Sequence, residues 1–186
     1  IDTEQKHLIV ADNKTKRFNF YNLGGEYIST KKSEYVNKFC EYYKGNLIYY
    51  SDNHIQDGYN LHVLNVKTNK TYDYFRIDSA LKDFQSKDGG QFYFNYQNQL
   101  LFKEALGQII YKFKENEPEA YLKINFGKKS IPMDYFSEDK PLSRQLADLN
   151  KGEYAFHSSN IIDIPKYLVF TFDFNYREFG CIYKKR

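Results

Sequence analysis

The chain contains no tryptophan, only two cysteines among its 186 residues, and no long apolar run. A helix that spans a bilayer needs about 20 consecutive apolar residues, so the sequence excludes a membrane-spanning helix. Cys40 and Cys181 are too few for a disulfide scaffold, and neither lies in a CxxC or Cys/His spacing typical of metal ligands. We therefore expect two buried or half-buried thiols that behave as small apolar groups, and we predict no metal and no other cofactor.

The chain also lacks an excess of charge of either sign. It carries 27 basic and 24 acidic side chains, a net charge of +3, and these charges are spread along its whole length. Nucleic-acid-binding proteins concentrate positive charge on one face or segment, so the sequence predicts no nucleic-acid partner. The chain begins at Ile1 without an initiator methionine or a signal-like segment, which indicates a processed or trimmed polypeptide.

Aromatic rings supply much of the apolar material, because tyrosine and phenylalanine together make up 19% of the residues. These rings alternate with polar residues, as Phe18 and Phe20 do. A period of two residues is typical of β-strands with one buried face. Glycine and asparagine, as in Gly45-Asn46, mark turns between the predicted strands.

One strand pattern, an apolar run that ends in an acidic residue, occurs four times at intervals of 40, 52 and 69 residues. Further strand-like runs accompany each copy, so the repeated unit is predicted to be a four-stranded antiparallel meander. A meander that recurs at about 40 residues is typical of a β-propeller blade, and a β-sandwich of the same meanders is the alternative. The predicted fold class is an all-β propeller with about four blades. The four copies of the pattern are residues 8–12, 48–52, 100–104 and 169–173.

The repeat divides the chain into blades and linkers within one partial propeller domain. Pro141, followed by leucines at 142, 146 and 149, predicts one short helix in the longer linker, with its apolar stripe packed on the propeller. The first and last units have three predicted strands where the others have four. An open propeller exposes strand edges, so we expect a longer propeller or edges paired with another chain. The approximate blades are residues 1–35, 36–78, 91–126 and 158–186, and the linkers are residues 79–90 and 127–157.

The extra residues all fall on one predicted face. In a propeller, the linkers between blades lie on the same side as the loops between the second and third strands of each blade. Insertions concentrated on one face of a repeat protein commonly mark its binding face. Aromatic rings there can stack on a ligand, and histidines beside acids can bind one. The candidate ligand-binding residues are His54, Asp57, Tyr135, Phe136, Arg144 and His157.

The same loops carry no catalytic signature. Ser158 and Ser159 follow a histidine but lack the flanking glycines of a nucleophile elbow. The acids that end the repeated strands are predicted to stand too far apart around one rim to hold a single ion, and each is expected to close its own turn by accepting backbone N–H groups. We therefore predict no catalytic residue and no metal ligand. The four acids are Asp12, Asp52, Glu104 and Asp173.

Three stretches of the sequence carry a family resemblance. They resemble the six-bladed β-propeller proteins of gut Bacteroidetes, which have NHL-like repeats and many of which are predicted lipoproteins of unknown function. The resemblance extends over nearly the whole chain, as about four of six blades. One departure is that Lys31-Lys32-Ser33 precede Glu34-Tyr35, where the family often has a glycine-rich stretch with proline. The stretches are HLIVADNKTKRFNFYNLGGEYI, then NLIYYSDN with YNLHVLNVKTNKTYDYFRI, and finally IIDIPKYLVFTFDF with REFGCIYKK.

The resemblance implies export, with a lipid anchor on the precursor and a location in the periplasm or at the outer membrane. It brings no catalytic residue with it. We therefore expect a non-catalytic binding or scaffold propeller whose partner is a protein, a peptide or a glycan. Contact with a membrane is expected only through the lipid anchor.

The alternative is a hydrolase or lyase that acts on glycans or peptides in the central funnel, by analogy of fold alone. Such an enzyme would place acids or histidines on the innermost strands. The predicted innermost strands offer Glu41 and Asp163 as acids and no histidine. This composition favours binding over catalysis.

Overall fold

The computed structural model describes most of the chain, with Phe39 and His157 described by their backbones only. The chain divides into two compact units, unit one at residues 1–77 and unit two at residues 78–186. The described residues are 6–12, 14–33, 39–53, 58–82, 84, 90–132, 135–136 and 139–185.

The described residues form fourteen strands in four antiparallel sheets. Sheet one contains β1–β3, sheet two β4–β7, sheet three β8–β11 and sheet four β12–β14, and within each sheet the strands pair in their order along the chain. This sequential order confirms the predicted meanders. The strands are β1 (His7–Asp12), β2 (Arg17–Asn22), β3 (Tyr27–Lys32), β4 (Phe39–Tyr43), β5 (Asn46–Tyr50), β6 (Tyr59–Asn65), β7 (Thr71–Arg76), β8 (Gln91–Phe94), β9 (Leu100–Lys103), β10 (Ile109–Lys114), β11 (Glu117–Lys123), β12 (Phe156–Asp163), β13 (Tyr167–Phe174) and β14 (Arg177–Lys184).

Two-residue turns close several of these hairpins. Lys44 and Gly45, between β4 and β5, have φ values of 47° and 78°. Two consecutive positive φ values are typical of the type I′ turn, whose twist matches that of the flanking strands. Glycine suits this left-handed backbone because it has no Cβ. The turn was predicted at this position.

Sheets one and two share the core of unit one. Phe18 and Phe20 of β2 pack against Leu47, Tyr49 and Leu64 of sheet two, and all five are buried. The rings of Phe18 and Tyr49 lie 6.2 Å apart between centroids. The period of two in β2 therefore places its rings on the face that meets sheet two.

Sheets three and four share the core of unit two. Leu101, Ile110 and Ile124 pack against Leu168 and Phe170 of sheet four. The first strands of the two sheets, β8 and β12, also contact each other. Burial is thus arranged as one sheet face against the next within each unit.

The helices are short and lie in the linkers. A single 3₁₀ turn, Ser79–Leu81, begins where Asp78 accepts a hydrogen bond from the Ala80 N–H at 2.9 Å. The predicted helix is α1 (Leu142–Asp148), and a wider helical turn, Leu149–Glu153, continues it. β12 begins two residues before the predicted blade boundary at 158, and two register shifts in its pairing with β13 accommodate the extra length. Among the described helices, none combines the length and apolar character needed to cross a membrane.

Candidate binding face

The long linker (residues 124–155) joins the last strand of sheet three to the first strand of sheet four. It begins with a 3₁₀ turn, Gly127–Lys129, and a parallel bridge joins Ser130 to Ala155 near its two ends. The Ala155 N–H donates to the Lys129 carbonyl at 2.8 Å. The linker therefore forms a closed loop at one end of both sheets.

Contacts to both sheets hold the linker in place. The Gln108 side-chain amide, at the start of β10, donates to the Ile131 carbonyl at 3.0 Å. Gly152, at φ 87°, approaches Asn175 in the β13–β14 turn so closely that an added Cβ would lie 2.9 Å from the Asn175 Cβ. Lys129 places its Nζ 5.5 Å from the centre of the Phe174 ring. A side chain at 152 would push the linker away from sheet four.

The helix α1 packs inward, as its leucine spacing predicted. Leu149 is fully buried, and Leu142 and Leu146 are half-buried. Gln145 is also buried, and its amide donates to the Lys140 carbonyl at 2.9 Å, which satisfies this buried polar group.

An aromatic cluster lies between α1 and the end of the linker. The Tyr135 ring meets Phe136 edge to face with centroids 5.2 Å apart, and meets Tyr154 in the same manner at 5.1 Å. The Tyr135 hydroxyl donates to the Gln145 carbonyl at 3.0 Å. Burial, and next the Asp148 carboxylate, raise the pKa of Tyr135, so its hydroxyl stays a neutral donor. These contacts fix the three rings in one arrangement.

The predicted site residues differ in how the structure places them. Tyr135 and Phe136 come together with Tyr154, which the sequence analysis did not select, and both predicted rings are half-buried rather than fully presented to solvent. Arg144 is exposed on α1, next to the buried Gln145. His54 and Asp57 lie outside the described residues, and only the backbone of His157 is described. His157 lies in β12, the first strand of sheet four, so the prediction that the innermost strands carry no histidine is wrong.

The family model DUF5128, described as a 6-bladed beta-propeller, matches residues 1–186. The chain belongs to this family. The four meanders are therefore propeller blades, and the sandwich alternative is wrong. Comparison with curated proteins gives no match.

One solved structure agrees with the fold. A candidate exported protein from Bacteroides fragilis is 15% identical with a TM-score of 0.73, and the match covers 100% of this chain and 54% of that chain. The chain thus spans about half the length of that neighbour. A member of the DUF4221 family from Bacteroides vulgatus is 11% identical with a TM-score of 0.46, over 97% of this chain and 64% of that chain.

One rim acid of the propeller has the predicted role. Asp12 accepts hydrogen bonds from the Lys14 and Thr15 N–H groups at 2.9 and 3.1 Å and from the Thr15 hydroxyl at 2.6 Å. These bonds lower the pKa of Asp12. The carboxylate closes its own turn between the first two strands of blade one.

A buried lysine was missed in the sequence. Lys103, at the end of β9, is 1% exposed, and its Nζ donates to the Glu104 and Ala105 carbonyls at 2.8 and 3.3 Å. Burial lowers the pKa of Lys103 to about 7. A signal was available, because Lys103 occupies the place in its repeat that the small, buried Ser51 occupies in blade two.

A polar cluster at the other end of unit two was missed as well. Asp163, the last residue of β12, has a fully buried side chain that accepts hydrogen bonds from the Lys185 ammonium and, at 3.1 Å, from the Tyr121 hydroxyl. The Tyr96 N–H donates to the Asp163 carbonyl at 3.1 Å. Tyr93 extends into the same core, and within the described chain its buried hydroxyl has no hydrogen-bond partner.

Cys40 and Cys181 are both free and half-buried. Burial raises the pKa of the Cys40 thiol, which keeps it protonated and unreactive. Within the described ranges, no three histidine, cysteine or acidic side chains are close enough to hold a metal ion.

Proposed function

We propose that this β-propeller is an exported, non-catalytic binding or scaffold module, and that the face formed by the long linker binds a glycan or a peptide. The observation that carries the proposal is the aromatic cluster of Tyr135, Phe136 and Tyr154, whose rings are fixed by mutual contacts and by the hydrogen bond to Gln145. Rings held in place lose little conformational entropy when a ligand stacks on them.

The charged groups near the cluster suit a polar ligand. Arg144 is exposed on α1, and Asp148 and Lys151 form an ion pair at 2.7 Å one turn further along. An arginine presents several donors in a rigid plane, which matches hydroxyl, carbonyl or carboxylate oxygens. We propose that Arg144 and the rings contact one ligand. Binding roles for His54, Asp57 and His157 stay predictions from the sequence.

Export supports this assignment because an extracytoplasmic propeller meets glycans and peptides directly. The Bacteroides fragilis neighbour is described as a candidate exported protein. We propose export for this protein too, with a lipid-anchored precursor in the periplasm or at the outer membrane. Metabolic labelling of the full-length precursor with an alkynyl fatty acid tests the anchor, and an unlabelled, mature periplasmic protein would contradict it.

Binding can be tested by affinity electrophoresis in gels that contain starch, mannan or pectin, and by titration of a casein peptide digest. Because the chain has no tryptophan, tyrosine emission reports on ligand contact without energy transfer to indole. We expect retention by at least one probe, and a loss of about tenfold in affinity, equivalent to about 1.4 kcal/mol, in Phe136→Ala and in Arg144→Ala.

The matched control is Tyr167→Ala. Tyr167 is 38% exposed and lies at the other end of sheet four, since β12 starts at the linker and ends beside the start of β13. This variant should bind like the parent. No retention by any probe, or equal losses in all three variants, would contradict binding at the linker face.

The enzyme alternative rests on Glu41 in β4, the first strand of blade two. Burial raises the pKa of this carboxyl, as a general acid requires. Incubation with chromogenic glycosides and peptide anilides tests this function. Turnover that Glu41→Gln abolishes would favour catalysis, and turnover unchanged in that variant would exclude this residue as its acid.

A further inference from the structure

The turn between β13 and β14 holds a tyrosine in strained backbone. Phe174 pairs with Arg177, so Asn175 and Tyr176 form a two-residue turn. Their φ values are 50° and 59°. Two consecutive positive φ values are typical of a type I′ turn, in which the second residue is usually glycine. For a side chain as large as that of Tyr176, this left-handed backbone is an outlier.

Burial of the Tyr176 ring does not offset the strain, because the ring is 72% exposed. The other rings of the same hairpin are packed, since the Phe179 centroid lies 6.4 Å from that of Phe174 and 5.7 Å from that of Phe172. Glycine at position 176 would adopt the same backbone without strain. Backbone strain of this kind often occurs at functional sites, so the exposed ring is a candidate for contact with a ligand.

This turn lies beside the end of the long linker. Gly152 approaches Asn175 so closely that an added Cβ would lie 2.9 Å from the Asn175 Cβ. The Lys129 Nζ lies 5.5 Å from the centre of the Phe174 ring, at the other end of the linker. Tyr176 is therefore presented at the same end of unit two as the aromatic cluster of Tyr135, Phe136 and Tyr154.

An ion pair connects the aromatic cluster with Tyr176. Asp148 and Lys151 lie 2.7 Å apart on the exposed side of the linker. The Asp148 carboxylate is near enough to the cluster to contribute to the raised pKa of Tyr135. The hydrogen bond and charge of Asp148 raise the pKa of Lys151, and Tyr176 adds to this effect. The ion pair is thus close to both sets of rings.

This surface suits a glycan better than a peptide. Peptides commonly bind through free backbone groups of the receptor, but the Ala155 and Gln145 N–H groups of the linker already donate to the Lys129 and Pro141 carbonyls. The linker instead offers rings and charged side chains. Sugar rings present C–H faces that stack on aromatic rings, and hydroxyl groups that bond to charged side chains.

We propose that Tyr176 is a second stacking site of the linker face, and that the ligand is a glycan chain that extends from the aromatic cluster across the Asp148–Lys151 pair to Tyr176. This inference rests on the proposed function and names its ligand class. It also requires a chain of several sugars, because one sugar ring cannot contact both sets of rings.

The first test places a tryptophan at position 176. The chain has no other tryptophan, so the indole emission of Tyr176→Trp reports on this position alone. The probes are maltohexaose, mannohexaose and hexagalacturonate, with glucose, mannose and galacturonate as their single-sugar controls. We expect one hexasaccharide to shift the emission maximum at concentrations where its single sugar has no effect. The matched control is Tyr167→Trp at the other end of sheet four, whose emission should not change.

The second test compares binding with stability in Tyr176→Gly. Relief of the left-handed strain should raise the urea midpoint above that of the parent. Loss of the ring should weaken hexasaccharide binding by about fivefold or more. Tyr176→Phe keeps the stacking surface and should bind like the parent. Because a misfolded variant would lose stability as well as binding, the opposite signs in Tyr176→Gly identify a ring that serves the ligand.

The outcomes are distinct. A hexasaccharide response at position 176 alone, with weaker binding by a more stable Tyr176→Gly, supports the second stacking site. Binding that Phe136→Ala weakens and Tyr176→Gly leaves unchanged would overturn this inference and leave the proposed function intact. An indole response to a casein peptide digest and to no glycan would overturn it in favour of a peptide. Lower stability of Tyr176→Gly would overturn it as well, because the ring would then serve the fold. Failure of every glycan and peptide to bind would overturn both proposals.

Discussion

Unit two buries two charged side chains, Lys103 and Asp163, by opposite means. Lys103 has two backbone carbonyls as acceptors, and its pKa falls to about 7. Asp163 instead receives the Lys185 ammonium and the Tyr121 hydroxyl. A buried charge without a counter-ion tends to neutralise, whereas a paired one can remain charged. Burial of Lys103 therefore lowers the stability of the protein near neutral pH. Burial of Asp163 makes the stability depend on the groups that pair with it.

The largest effect should come from removal of the partner of Asp163. Lys185→Met leaves the buried carboxylate with the Tyr121 hydroxyl as its one remaining donor among the described residues, and loss of one member of a buried pair typically costs about 3–5 kcal/mol. Urea denaturation at pH 7 measures this loss in the free energy of unfolding. Lys184→Met, at the exposed neighbouring position, is the control and should change stability by less than about 0.5 kcal/mol.

Replacement of the other buried charged residue, Lys103, should raise stability. Lys103→Met removes the cost of a buried ammonium, offset in part by the lost hydrogen bonds, and should stabilise the protein on the order of 3 kcal/mol at pH 6. Urea denaturation at that pH measures the gain. A loss of stability in this variant would show that the two carbonyl contacts outweigh desolvation.

The stability gained by Lys103→Met should depend on pH. The folded protein releases the Lys103 proton near pH 7 and the unfolded chain near 10.5. Between these values the unfolded state binds more protons, so the lysine makes stability rise with pH, by at most about 1.4 kcal/mol per pH unit. Below pH 7 both states hold the proton, and the contribution is flat. The gap between Lys103→Met and the parent should therefore narrow from pH 7 to pH 10.

Loss of the Tyr121 hydrogen bond to Asp163 should have a smaller effect on stability. Tyr121→Phe removes a hydrogen bond to a carboxylate and should cost about 1.5–3 kcal/mol. Thermal unfolding followed by circular dichroism measures the change. A neutral result would mean that the Lys185 ammonium alone satisfies the buried carboxylate.

The smallest expected effect is a gain in stability. Tyr93→Phe removes a buried hydroxyl that has no hydrogen-bond partner among the described residues, and should stabilise the protein by about 1 kcal/mol. The same thermal unfolding measures it beside Tyr121→Phe. Destabilisation would indicate a bound water or another group that satisfies this hydroxyl.

The sequence was sufficient for the strands and for much of the topology, because both depend on local patterns. The alternation at Phe18 and Phe20 predicted one buried face, and the Lys44–Gly45 turn predicted its hairpin. The meander order follows from short connections between such runs.

The candidate site and the buried polar cluster around Asp163 were less predictable because their contacts join distant parts of the chain. Tyr121 and Asp163 are 42 residues apart, and nothing in either local pattern indicates that they meet. Tyr154 joins Tyr135 only because the linker closes on itself at Ser130 and Ala155. Lys103 is an intermediate case, since comparison of equivalent repeat positions could have marked it as buried.

The sequential order of strands has a consequence for biosynthesis. A β-hairpin forms in about 1–10 μs, whereas a ribosome adds only about 5–20 residues per second. Each meander can therefore assemble within seconds of leaving the ribosome. It then stays uncovered on one side until the next meander has been made. The apolar face of the newest blade is the surface that chaperones would need to shield at each stage of translation.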